Sequence, residues 1–165
     1  MTGMAGVLRA MTPADVPAVL AVQEPGAVLG LAEVFPQDEH PFPREAIAER
    51  GLREIELDGT ECFVVLHHEA VAGFAATRDD EFLHFGVAPE HWGDGLARAA
   101  HDAVLDSMRA SGVERARLRV FTGNVRGRCF YEKLGWTPTG ERSRSSFPPR
   151  PELLTYELSL SSAGG

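Results

Sequence analysis

The chain carries only two cysteines, Cys62 in a strand-like segment and Cys129 in a helix-like one, with no metal-ligand spacing between them. Both read as free thiols in a reducing compartment, and each suits the role of a small buried hydrophobe. The six histidines form no ligand cluster, so no metal site is expected. No stretch approaches the roughly 20 apolar residues that cross a bilayer. Met1 to Met11 also lack the apolar core and small-residue cleavage site of a signal peptide. These absences point to a soluble, cytoplasmic protein with no membrane partner. Positive charge is scarce, 16 Lys and Arg against 24 Asp and Glu, for a formal charge of −8. Nucleic-acid affinity comes mainly from basic side chains that neutralise the backbone, so no nucleic-acid partner is expected. A cationic partner is easier to accommodate, although an acidic balance also serves solubility. There is no internal repeat and no domain-separating linker. At 165 residues the chain reads as one domain, 1–165, with 161–165 a frayed tail.

What is present is a clear succession of periodic segments. Val7 to Met11 reads as a short strand, and Thr12-Pro13 opens a helix expected to run to about Gln23. A proline-punctuated loop, Phe35 to Pro43, carries Asp38, Glu39 and His40, and a second helix is expected from Arg44 to Leu57. Cys62 to Leu66 and Val71 to Thr77 read as a hairpin turning near His68-Glu69, followed by a third strand from Glu81 to Val87. From Leu96 the period changes to that of a helix, with Leu96, Ala100, Ala103, Val104, Ser107 and Met108 on one face and Gly112 as its stop. Arg115, Arg117 and Arg119 alternate with Ala116, Leu118 and Val120, the pattern of a half-buried strand. A helix from about Asn124 to Leu134 and a strand from Leu153 to Leu160 complete the order, with Arg142, Arg144 and Arg150 in the connection between them. A mixed sheet with helices on its faces follows.

The segment Val87 to Arg98 ends a strand, makes a glycine-rich turn and opens a helix. The first turn of a helix leaves about four N–H donors unpaired and a partial positive charge, which suits phosphate oxygens. Gly93, Gly95 and Ala97 leave room for a close approach to N–H groups expected to be free, although the same residues also make a plain tight connection. A Walker loop needs a Lys-Ser/Thr pair that is missing, and the dinucleotide fingerprint needs a glycine where Arg98 stands.

Together with Asn124 to Trp136, this stretch resembles the GNAT family of N-acetyltransferases. Gly95 and Ala97 match the family's Gln/Arg-x-x-Gly-x-Gly/Ala signature. Asn124, Phe130, Tyr131, Gly135 and Trp136 follow its Asn-x-x-Ala-x-x-Phe-Tyr-x-x-x-Gly-Phe pattern. The resemblance implies an α/β (α+β) fold: a mixed, mostly antiparallel central sheet, helices on both faces, and a splayed parallel strand pair forming the acyl-CoA cleft. It implies acetyl-CoA as cosubstrate, contacted by Phe85, Val87, Trp92, Gly93, Asp94, Gly95, Leu96, Ala97, Arg98, Asn124, Gly127 and Tyr131. Val87 N–H would polarise the thioester carbonyl, and Tyr131 would protonate the departing thiolate. Glu81 resembles the catalytic Glu of the histone acetyltransferase branch. His84 is the alternative base, with a better-matched pKa but on the opposite face of an ideal strand. Asn124 either contacts the pantetheine arm or serves as a plain helix cap.

Three residues depart from the family pattern. Trp92 stands at the Gln/Arg position, Asp94 puts an anion beside the expected pyrophosphate, and Gly127 replaces the common Ala, leaving room beside Tyr131. The first two are expected to weaken cofactor binding. The expected activity is direct acetyl transfer to a primary amine of a small molecule. A peptide or protein N-terminal acetyltransferase and a non-catalytic acyl-CoA sensor are the alternatives, and a homodimer through the last strands stays open.

Overall fold

In the computed structural model, which describes residues 6–160, the two periodicities resolve into one sheet of seven strands and four helices. In chain order these are β1 (Leu8–Ala10), α1 (Val16–Gly30), α2 (Arg44–Glu56), β2 (Thr60–His67), β3 (Ala70–Arg78), β4 (Glu81–Val87), α3 (Leu96–Ala110), β5 (Arg115–Phe121), α4 (Val125–Lys133), β6 (Thr137–Arg144) and β7 (Glu152–Ser159). Short 3-10 turns, Pro13–Asp15 and Pro89–His91, lead into α1 and the loop before α3. The strand order is β1-β2-β3-β4-β5-β7-β6, antiparallel except for β4 and β5. This is the mixed, mostly antiparallel α/β arrangement expected. The expected tail at 161–165 lies outside the described residues. Among those described, no helix is long and apolar enough to cross a membrane.

The parallel junction sets the architecture. β4 and β5 share one ladder pair, Glu81 with Arg117, fixed also by Arg117 N–H donating to Asp80 O at 2.8 Å. β4 stays zipped to β3 and β5 to β7, so past that pair the two strands part and leave a gap in the middle of the sheet. In β4 the register shifts between Ala76 and Thr77, where Ala76 pairs with His84 and Thr77 with Phe82, leaving Leu83 as the extra residue of a bulge.

The core lies mainly between the sheet and α3. Leu118, Val120, Ala116 and Phe82 from the strands meet Val104, Leu105 and Met108 from the helix, with Trp136 and Tyr156 fully enclosed. His101 also belongs to this buried face, although its polarity hides it from a count of apolar positions. Trp136 Nε1–H donates to His101 Nε2 at 3.0 Å, which requires a lone pair there, and His101 Nδ1–H donates to Asp102 Oδ1 at 2.9 Å. Burial lowers the His101 pKa, against the opposing pull of Asp102.

Three expectations are corrected. α1 does not stop near Gln23 but runs through Pro25 to Gly30. Pro25 cannot donate to the Ala21 carbonyl one turn earlier, but both residues are exposed, and Leu31 N–H closes the last turn on Ala27 O. Arg142 and Arg144 lie on a strand, β6, and only Arg150 sits in the connection. β6 has no apolar alternation because it is an edge strand with almost every residue exposed, broken at Pro138 to Arg142 by a register shift. Cys129 is exposed rather than buried, while Cys62 is half-buried and its thiol is pushed up to about 11, chiefly by burial.

The buried imidazole generates a pH dependence. Because its folded pKa lies below the unfolded value of about 6.5, the folded state binds fewer protons, and stability present above that value is lost as pH falls through it. Urea midpoints measured from pH 7.5 to 5 should fall, and the fall should be smaller in His101→Gln, whose amide oxygen still accepts from Trp136 without titrating.

Candidate functional site

The gap between β4 and β5 has one polar wall built from backbone. Ala88 N–H donates to Ala72 O across the β3 side, so strand alternation turns the N–H and C=O groups of Val87 and Phe85 toward the gap. These are the two residues whose backbone was expected to run beside the pantetheine. The far end of the gap meets the loop before α3. There Gly93 and Gly95 adopt φ of +86° and +93°, and a Cβ added at either would meet nothing within 4 Å. The loop surface is open at those positions, and the positive end of α3 lies directly behind it.

Its N–H groups are not all free, which corrects the expectation. Asp94 Oδ1 accepts from Leu96 N–H at 3.0 Å, its Oδ2 accepts from His91 Nδ1–H at 2.7 Å, and Trp92 N–H donates to Pro89 O. The hydrogen bond from His91, followed by that from Leu96 N–H, lowers the Asp94 pKa and keeps it anionic. Trp92 acts in parallel, since its Nε1–H donates to Val87 O at 3.2 Å on the gap side of β4. The guanidinium of Arg126, at the start of α4, lies 3.9 Å from the Trp92 ring centroid, and the far edge of the indole reaches Gly30 at the end of α1. Both departures from the family signature therefore occupy backbone groups that a phosphate or an amide chain would use. Ala97 follows as a half-buried residue of the first turn, and exposed Arg98 lies 3.8 Å from Asp102.

Across the gap, Asn124 caps α4, its Oδ1 accepting from Gly127 N–H at 2.9 Å. The room left by Gly127 is taken by Asn124 rather than kept for Tyr131, because a Cβ at 127 would fall 2.5 Å from Asn124 Nδ2. Tyr131 packs against Phe130 and Trp136, and burial pushes its phenol well above its ordinary pKa. Cys129 points elsewhere, to solvent.

The two base candidates are not on opposite faces. The bulge at Leu83 resets the alternation, so Phe82 and Phe85 share the α3 side with ring centroids 5.4 Å apart. Glu81 and His84 then both face the α1–α2 side. Glu81 Oε2 accepts from Arg119 Nε–H at 3.2 Å, across the strand junction. His84 Nε2 lies 3.0 and 3.1 Å from the two carboxylate oxygens of Glu54 on α2. Glu54 is absent from the sequence reading, and nothing in the local pattern singles it out among the acidic residues of that helix. The Phe35 to Pro43 loop lies over the end of β5, where Phe35 meets Phe121 edge-on at 5.3 Å, while Asp38 and Glu39 stay exposed.

Residues 28–136 match the acetyltransferase (GNAT) family, and the chain belongs to that family of acetyl-transferring enzymes. Among curated proteins, it is 41% identical over 68 residues to the mycothiol acetyltransferase of Beutenbergia cavernae, a match covering 41% of this chain and 23% of that protein. The ribosomal-protein-S18-alanine N-acetyltransferase of Escherichia coli has a similar structure, with a TM-score of 0.68, 22% identity and 95% of each chain covered. So does the spermidine N-acetyltransferase of Vibrio cholerae in complex with CoA and spermine, with a TM-score of 0.69, 19% identity, and 93% of this chain and 95% of that one covered.

Single substitutions can free Val87 O and Leu96 N–H, and CoA affinity then reports whether a cofactor meets them. Asp94→Ala, which removes the acceptor from Leu96 N–H, and Trp92→Gln should each lower the calorimetric Kd for CoA severalfold, a change of about 1 kcal/mol. Unchanged dissociation constants in both would show that neither side chain competes with the cofactor.

Proposed function

We propose that the protein transfers an acetyl group from acetyl-CoA directly to the primary amine of a small molecule. The observation that carries this reading is the gap opening after a single β4–β5 pair, lined by the Phe85 and Val87 N–H groups and ending at the open glycine loop of α3. An extended amide chain can add to that edge as a strand would, and a pyrophosphate can meet the helix end. Trp92, Gly93, Asp94, Gly95, Leu96, Ala97 and Arg98 would line the phosphate end, with Asn124, Gly127 and Tyr131 on the opposite wall.

Bound acetyl-CoA supplies a thioester whose carbonyl carbon is open to attack and whose sulfur leaves as a thiolate. Val87 N–H, held by strand geometry toward the gap, would stabilise negative charge on the carbonyl oxygen as the new C–N bond forms. As the C–S bond breaks, the Tyr131 hydroxyl would give its proton to sulfur. Burial raises its pKa, so it is still protonated when that charge appears. An alkylamine arrives as an ammonium, so one proton must first leave it for a base, His84 or Glu81, and a second, shed as the amide forms, would restore the Tyr131 phenol. The exposed Cys129 takes no part, which favours direct transfer over an acyl-enzyme.

The small-amine acceptor is supported by the likeness to the Vibrio cholerae enzyme named for spermidine. The likeness to the Escherichia coli enzyme named for a ribosomal protein keeps peptides in the test. Calorimetry with acetyl-CoA should be paired with thiol release over polyamines, aminoglycosides, amino acids and short peptides. The expected result is binding, release with a small amine, and a kcat about 10²-fold lower in Tyr131→Phe with CoA affinity kept. Release with peptides alone would move the acceptor to protein N-termini, binding without release would make the protein a sensor, and no binding would overturn the reading.

A further inference from the structure

The most unusual group on the α1–α2 face is a charge. Glu54 is the buried residue of α2, 8% exposed, at a position where an amphipathic helix ordinarily places an apolar side chain. Its two oxygens straddle His84 Nε2 at 3.0 and 3.1 Å. A carboxylate can only accept, so that geometry places the imidazole proton on Nε2 and leaves the Nδ1 lone pair as the ring's basic site. Burial by itself would raise the Glu54 pKa, but the hydrogen bond from His84 and the interactions with His84, Arg50 and Arg78 outweigh it, and the net shift is downward.

The groups around the pair come from every neighbouring element. Arg50 Nε from α2 lies 4.0 Å and Arg78 Nη2 from β3 lies 3.6 Å from Glu54, Cys62 faces in from β2, and α1 contributes the uncharged Gln23. A cavity of about 40 Å³ touches both Glu54 and His84. A water needs roughly 10–15 Å³ by the same kind of measure, so a proton can leave His84 by way of water. His84 itself directly precedes Phe85, whose N–H faces the cofactor gap, and the bulge at Leu83 fixes its side chain on the α1–α2 face.

We propose that Glu54 is a positioning residue that holds His84 with Nε2–H toward α2 and Nδ1 toward the incoming ammonium, making His84 rather than Glu81 the base of the reaction. This rests on the acetyltransferase reading above. The ammonium N–H bond breaks, its proton goes to Nδ1, and Glu54 stabilises the imidazolium until that proton passes to water. The nitrogen lone pair so released forms the C–N bond, the C–S bond breaks as sulfur takes the proton of Tyr131, and the second proton of the attached nitrogen, shed as the amide forms, restores the Tyr131 phenol. Glu81 is already engaged by Arg119 Nε–H across the strand junction.

The test is the pH profile of kcat/KM for the amine in wild type, Glu54→Gln, Glu54→Asp and His84→Asn, with Kd for CoA measured alongside. Glu54→Gln should keep the Kd, lose 10- to 100-fold in kcat/KM near neutral pH, and move the acid limb to lower pH, because the imidazole loses its anion. Glu54→Asp should recover part of the rate, and His84→Asn should abolish the limb. Should Glu54→Gln fail to fold, the nitrogen NMR shifts of His84 in the wild-type protein decide the tautomer. A proton on Nδ1 would overturn the proposal. So would an unmoved limb in Glu54→Gln, or a limb retained in His84→Asn. A wild-type protein that releases no thiol with any amine would instead defeat the transferase reading beneath it.

Discussion

Everything distinctive in this molecule follows from a sheet that is continuous at one end of β4 and β5 and divided at the other. Parallel neighbours need a long crossover, here α3, and that crossover packs over the junction so that Phe82, Leu118 and Val120 bury together. Each strand is then claimed along its length by an antiparallel partner, β3 for one and β7 for the other. Hydrophobic burial thus keeps open a row of backbone groups on β4 that pair with no strand of the sheet, of the kind that a free sheet edge would expose to any passing strand.

Most of this frame was legible in the sequence, because the frame depends on periodicity. The Arg115 to Phe121 alternation appears unchanged in the burial of β5, and the stripe from Leu96 to Met108 is the inner face of α3. The elements that escaped are those whose stability comes from neighbours. β6 is a polar edge held by the ladder to β7, with Arg142 braced on Glu152, and the later half of α1 continues past a proline that lies on the helix's exposed side.

The site was legible where chemistry is local and illegible where it is brought together from afar. The glycine loop and the Asn124 to Trp136 run announce themselves within a few residues. Glu54 and His84 stand 30 positions apart and meet only because a one-residue bulge rotates one of them. That bulge also removes the objection to His84 based on ideal strand parity. Trp92 and Asp94 are visible in sequence as departures, but only the fold shows that they satisfy the same backbone groups, on Val87 and Leu96, that the family pattern would leave for a ligand.

The two tryptophans sit in environments about as different as one small protein can offer. Trp136 is sealed in the core with its N–H bonded to an imidazole, whereas Trp92 lies at the mouth of the gap beneath a guanidinium. An indole in dry surroundings emits toward the blue and one beside water and a cation toward the red. The chain consequently carries two intrinsic optical signals, one reporting the integrity of the core and the other the state of the cleft, with no label required.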